Sequence, residues 1–193
     1  NCCCPYDEKR EGLVIGEGAC SFILESYESA TARGAVILAE LVGFGTNSDG
    51  QHVTQPSAGT MQTAMELAIK DAAVNPNDIG YVNGHGTATI KGDIAETQAT
   101  EKALGKHTPI SSLKSYLGHT LGACGAIEAW ASINMMKDNW FAPTLNLEVT
   151  DPLCGELQYI KGEGLAKETN YIMTNNFAFG GINTSLIFKR YSV

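Results

Sequence analysis

The chain has 193 residues, the size of one ordinary domain, with 44% hydrophobic and 18% charged side chains. That composition excludes a disordered segment and is enough for a packed core without metal or disulfide staples. A formal net charge of −8 excludes a non-specific nucleic-acid binder, which needs a cationic stripe to track phosphates.

No apolar run approaches the ~18 residues of a membrane-spanning helix. The opening Asn-Cys-Cys-Cys-Pro-Tyr-Asp lacks the basic-then-apolar order of a secretory signal. A cytoplasmic protein is expected, and the missing initiator Met leads to the expectation of an upstream portion. Residues 19–25 form an apolar run that predicts a buried strand, entered from Gly16-Glu17-Gly18. Residues 28–33 predict a short helix stopped by Gly34. Residues 36–44 predict a second strand, and 45–57, rich in Gly, Asn, Ser and Asp, a boundary loop.

Over 60–73, Met61, Met65, Ala68 and Ala72 fall on one face of an amphipathic helix. Asn75-Pro76-Asn77-Asp78 turns the chain into a strand at 79–82. Asp93 is placed to cap a helix running to Leu104, with Glu96 three residues later and Gly105 as the stop. A strand follows at 108–111, then a long helix at 121–137 that opens on Gly122, Ala123, Gly125 and Ala126. Further strands are expected near 157–160, 171–173 and 184–189. Strand and helix alternate through the middle, which defines the α/β class.

The six cysteines, at 2, 3, 4, 20, 124 and 154, contain no C-x-x-C pair. They read as reduced thiols rather than a zinc site or disulfide framework. The four histidines, His52, His85, His107 and His119, contain no H-E-x-x-H, so no metal is expected.

Three segments share one design, a strand followed by a polar, glycine-bearing turn. They are Asn83-Gly84-His85-Gly86-Thr87-Ala88-Thr89, then Ser111 to His119 with Lys114 five positions before the histidine, and Asn175-Asn176-Phe177-Ala178-Phe179-Gly180-Gly181. In open α/β sheets ligands gather at the carboxyl ends of strands. None of the three is a P-loop, a G-x-G-x-x-G fingerprint or a G-x-S-x-G elbow.

These segments, with the stretch from Asp7 to Glu25 containing Gly16-Glu17-Gly18-Ala19, resemble the C-terminal half of a β-ketoacyl-(acyl carrier protein) synthase of the elongating type. The resemblance covers nearly the whole chain. It implies a thiolase-like αβαβα architecture built from two repeats, with residues 1–45 ending the first repeat and 46–193 forming the second. It implies decarboxylative condensation of malonyl-carrier with an acyl thioester, in fatty acid or polyketide synthesis. Partners would be an acyl carrier protein bearing phosphopantetheine, acyl and malonyl thioesters, and the N-terminal half in a homodimer or ketosynthase heterodimer, with no separate cofactor.

The resemblance assigns His85 and His119 as donors to enolate charge, a role that suits neutral imidazoles. It makes Lys114 a buried ammonium paired with Glu128, Thr87 and Thr89 contacts for the pantetheine arm, and Phe177 a pocket wall. Phe179 becomes the gating residue and oxyanion donor, with Gly180 and Gly181 allowing its turn to swing. Ala178 departs from the usual Gly and stiffens that gate. The nucleophilic cysteine is expected upstream, with Cys20 and Cys124 read as structural thiols. Two other readings are carried: a catalytically silent chain-length-factor-like partner, and a self-contained acyl-carrier-binding module.

Overall fold

The computed structural model describes residues 2–50, 55–106 and 108–192. His52 and His107, and part of the loop expected at 45–57, lie outside the described residues. The ordered elements are α1 (Tyr27–Ala32), β1 (Ala39–Ser48), α2 (Ala58–Ala72), β2 (Ile79–Asn83), α3 (Ile90–Leu104), β3 (Pro109–Ser111) and α4 (Lys114–Leu117). They continue with α5 (Cys124–Asp138), β4 (Trp140–Phe141), β5 (Gln158–Tyr159), β6 (Leu165–Ala166), β7 (Tyr171–Phe177) and β8 (Ile182–Arg190). No helix among the described residues is long and apolar enough to cross a membrane.

Six strands make one mixed sheet in the order β1-β8-β7-β2-β3-β5. The β7–β2–β3–β5 side is parallel, and β8 pairs antiparallel with both β7 and β1. Both faces are covered. Val82, Met173 and Ile187 pack with Met61, Met65, Ala68 and Ala99 of α2 and α3. Their sequence neighbours Tyr81, Ile172 and Phe188 pack on the opposite face with Ala129, Ile133 and Met136 of α5. The period-2 alternation of a strand thus feeds two cores at once, which is why β2 is buried at every position. The class is α/β, as the alternation in the sequence implies.

Glycines in β1 let α2 lie directly on the strand. A Cβ on Gly45 would collide with the Ala64 carbonyl, and one on Gly43 would sit 2.5 Å from that of Ala68. Bare backbone facing the small residues of α2 makes this close approach possible.

The structure corrects several expectations. Residues 19–25 are not a buried strand. They run as irregular chain with Ile23 and Leu24 80% and 74% exposed, because no neighbouring strand among the described residues pairs with them. The strand expected at 36–44 begins at Ala39 and runs on to Ser48, so the loop starts later than glycine content indicated. Asp93 is not an N-cap. Helix α3 starts one turn earlier, after Thr89, and places Asp93 and Glu96 inside the protein.

Candidate active site

The three polar turns leave the carboxyl ends of the parallel strands β2, β3 and β7, and they meet at one cavity of about 900 Å³. Its walls include His85, Thr87 and Thr89 from the first turn, His119 from the second, and Asn176, Phe177 and Phe179 from the third. Of the site residues expected from the sequence, Lys114 and Glu128 lie directly behind this wall, and Gly180 stands exposed at the tip of the third turn rather than on it.

The two imidazoles stand edge to face, 5.2 Å between centroids, and Phe177 closes on His85 at 6.2 Å, also edge-on. Each ring has a defined tautomer. Lys114 Nζ is 3.2 Å from His85 Nδ1. An ammonium has no lone pair, so the lysine donates and Nδ1 accepts. The Leu121 amide donates to His119 Nδ1 at 3.1 Å. Both neutral rings therefore carry their proton on Nε2.

The surroundings keep them neutral. Burial, then the Lys114 charge and His119, hold His85 well below its ordinary range. Burial and Lys114 bring His119 down to about 4. Lys114 is itself buried, on the single turn α4, and its Nζ lies 2.5 Å from Glu128 Oε1 of α5. Burial raises the Glu128 carboxyl while the ammonium pulls it down. One buried cation thus sits between a carboxylate and an imidazole, repaying its desolvation through one and setting the tautomer of the other.

Two carboxylates hidden from sequence reasoning hold the His85 turn. Glu96 accepts from the backbone amides of His85 at 2.5 Å and Gly86 at 2.7 Å. Burial pushes its carboxyl up to about 8, against those two donors. Asp93 accepts from the Tyr6 amide at 2.8 Å and faces the buried Arg10, 3.3 Å away. Gly84 and Gly86 are required here, because a Cβ on either would strike the Tyr6 hydroxyl beneath the turn. The signal was the spacing: carboxylates three residues apart, one helical turn into the element that follows the histidine, share a face. The same spacing fits a cap only if the helix begins at Asp93, whereas α3 begins at Ile90.

The chain segment before α1 holds the second histidine. His119 donates its amide to the Val14 carbonyl at 2.7 Å, and Gly16 donates back to His119 at 3.1 Å.

Thr87 and Thr89 face each other, hydroxyl to hydroxyl, at 2.9 Å on the cavity wall. Phe179 rides at the tip of the β7–β8 turn, 58% exposed. That turn is closed by Ala178 donating to Ile182 at 2.8 Å and Gly181 to Ala178 at 3.1 Å, with φ of +83° at Gly180.

Cys20 lies in the irregular segment and does not line the cavity, whereas Cys124 does. Burial pushes the Cys124 thiol up, which disfavours the thiolate that a nucleophile requires. His85, Cys124 and Glu128 bring potential metal-ligating atoms within 4.8 Å of one another, the one such group among the described residues. The Lys114 ammonium already occupies that space, bonded to two of the three, so the donor set does not fit a metal.

Two neutral histidines and a buried lysine–glutamate pair thus meet at the strand ends of a layered α/β sheet. A family model described as "Beta-ketoacyl synthase, C-terminal domain" matches residues 38–148, and the chain belongs to that family. It is 43% identical to 3-oxoacyl-[acyl-carrier-protein] synthase 2 of Staphylococcus aureus strain COL, over 98% of this chain and 47% of that protein. The chain thus spans about half the length of the curated relatives it matches. A solved β-ketoacyl synthase from Burkholderia phymatum STM815 superimposes with a TM-score of 0.96 at 63% identity, covering 97% of this chain and 46% of the other. A type II polyketide acyl-carrier protein in complex with its ketosynthase includes a similar chain, with a TM-score of 0.91, 35% identity and coverage of 98% and 48%. These neighbours carry the thiolase-like fold that the motifs imply.

Proposed function

We propose that this chain is the C-terminal half of a β-ketoacyl-acyl carrier protein synthase, an acyltransferase that condenses malonyl-carrier with an acyl thioester. The observation that carries the reading is the pair of neutral imidazoles, both protonated on Nε2, lining one cavity. Loss of CO2 from a malonyl thioester leaves an enolate whose negative charge gathers on the thioester oxygen. Two fixed N–H donors in a water-poor site stabilise that charge without reorganising as it forms. Carboxylates in the same place would repel it.

The other residues fill supporting roles. Lys114 sets the His85 tautomer and is neutralised by Glu128. Thr87 and Thr89 offer hydroxyls to the amides of a pantetheine arm. Phe177 walls the pocket, and Phe179 gates it, its backbone N–H assisting the oxyanion. In this reading the acyl-accepting cysteine comes from outside residues 1–193. The protonated state of Cys124 supports that. Residues 1–45 end the preceding repeat and 46–193 form the second, with β1 as the strand at which one passes into the other. Exposed Ile23, Leu24 and Val36 give the preceding repeat an apolar surface to cover.

The partners are an acyl carrier protein, whose phosphopantetheine delivers the substrates without a further cofactor, and a second synthase subunit. The carrier–ketosynthase complex among the structural neighbours supports the first. Retention of both histidines disfavours the silent-partner reading.

The test is CO2 release from malonyl-carrier by the full-length protein. His85→Ala is expected to lower the rate by about 10²-fold or more, the cost of removing one preorganised donor. A variant that releases CO2 at the wild-type rate overturns the assignment.

A further inference from the structure

One side chain of the cavity wall has no role in this scheme, yet it touches the buried groups around His85. Asn176, near the end of β7, lines the cavity. Its Oδ1 lies 3.0 Å from Sγ of Cys124, the first residue of α5. Its Nδ2 lies 3.4 Å from Glu128 Oε2. Gly125 leaves it room, since a Cβ there would stand 3.2 Å from Asn176 Nδ2.

The neighbours decide which way the amide faces. The Cys124 thiol is protonated, because burial disfavours the thiolate, and it therefore donates. A carboxylate only accepts. Carbonyl toward Cys124 and amino group toward Glu128 satisfies both partners. The flipped amide would set two donors together and two acceptors together.

We propose that Asn176 is a positioning residue for His85, held in a single orientation by the Cys124 thiol, and that this pair tunes malonyl decarboxylation. The inference rests on the decarboxylative reading of the site. Asn176 holds Glu128, Glu128 holds Lys114, and Lys114 reaches His85 Nδ1. This chain of contacts fixes the imidazole plane before charge develops, so the donor is already aimed. Breaking the chain at Asn176 or Cys124 loosens Glu128 and Lys114 and lets the ring tilt while leaving its proton in place.

The experiment uses the full-length protein, assaying CO2 release from malonyl-carrier and, separately, acyl transfer from acyl-carrier onto the nucleophile. Asn176→Ala is expected to lower kcat for CO2 release about tenfold, the worth of a hydrogen bond in a buried network. KM for malonyl-carrier and the acyl-transfer rate are expected to stay within about twofold. Cys124→Ala should cost about threefold, and Cys124→Ser should recover most of that, because a hydroxyl makes the same donation.

Circular dichroism melts identify a variant that does not fold, and if Asn176→Ala is one, the two Cys124 variants decide. Wild-type CO2 release by Asn176→Ala or Cys124→Ala overturns the proposal. So does an equal loss in Cys124→Ala and Cys124→Ser, which would assign the effect to volume. His85→Ala is run in parallel. Its retention of CO2 release sinks the reading of the whole site. Its loss beside an unaffected Asn176→Ala sinks only the role given to Asn176.

Discussion

Two regions of the chain invert the usual rule of burial. Around the cavity, Lys114, Glu128, Glu96 and Asp93 lie within the protein, each paired with a charge or with backbone amides. Between residues 19 and 38, Ile23, Leu24, Val36 and Leu38 are exposed. Apolar content therefore does not decide burial by itself. A charged group enters the interior when partners replace its water, and an apolar run stays outside when nothing in the same chain packs against it.

The sharpest way to break this contrast is to remove one partner from the buried pair. Lys114→Ala leaves the buried Glu128 without its cation and is expected to cost about 3–5 kcal/mol in chemical denaturation. Lys114→Met with Glu128→Leu should recover most of that loss, since two apolar side chains replace two charges. A double variant as unstable as the single one would show that packing, not charge, sets the cost.

Glu96→Ala should cost less, about 1–3 kcal/mol, because two backbone amides lose their acceptor. A loss of CO2 release from the loosened His85 turn is expected alongside it.

Acid tests the same region without mutation. His119 titrates near 4 in the folded protein against 6.5 as its ordinary value, so the unfolded chain binds the extra proton between those limits. Stability contributed by keeping the ring neutral is present above pH 6.5 and is lost as pH falls toward 4. Thermal melts over that window should show the decline, and His119→Asn should lessen it, the part that comes from His85 remaining. A decline unchanged in that variant assigns it to other groups.

The smallest effect is expected at the exposed run. Ile23→Ser or Leu24→Ser in this chain should move stability by no more than about 0.5 kcal/mol. A larger loss in the full-length protein than in this chain would show that the surface is covered there.

Most of the fold was legible in the sequence. The stripe of Met61, Met65, Ala68 and Ala72 placed α2 within two residues of its bounds, and the polar turns that the sequence singles out carry His85, His119, Phe177 and Phe179 to one cavity. What escaped was decided by tertiary neighbours. A run such as Phe22-Ile23-Leu24 reads as a strand on apolar content, but pairing needs a partner that sequence alone does not supply. The two-residue strands β4 and β6 exist only through each other. Asp93 and Glu96 look the same as caps and as buried braces, and only the start of α3 separates the two.

The segment from Tyr6 to Gly16 gives one last consequence. It lies under the His85 turn at one end and pairs with the His119 backbone at the other. The distance between the two imidazoles is thus measured out by a length of peptide as well as by the sheet. An inserted or deleted residue between Asp7 and Leu13 would act as a change of gauge, sliding one histidine relative to the other with neither of them substituted.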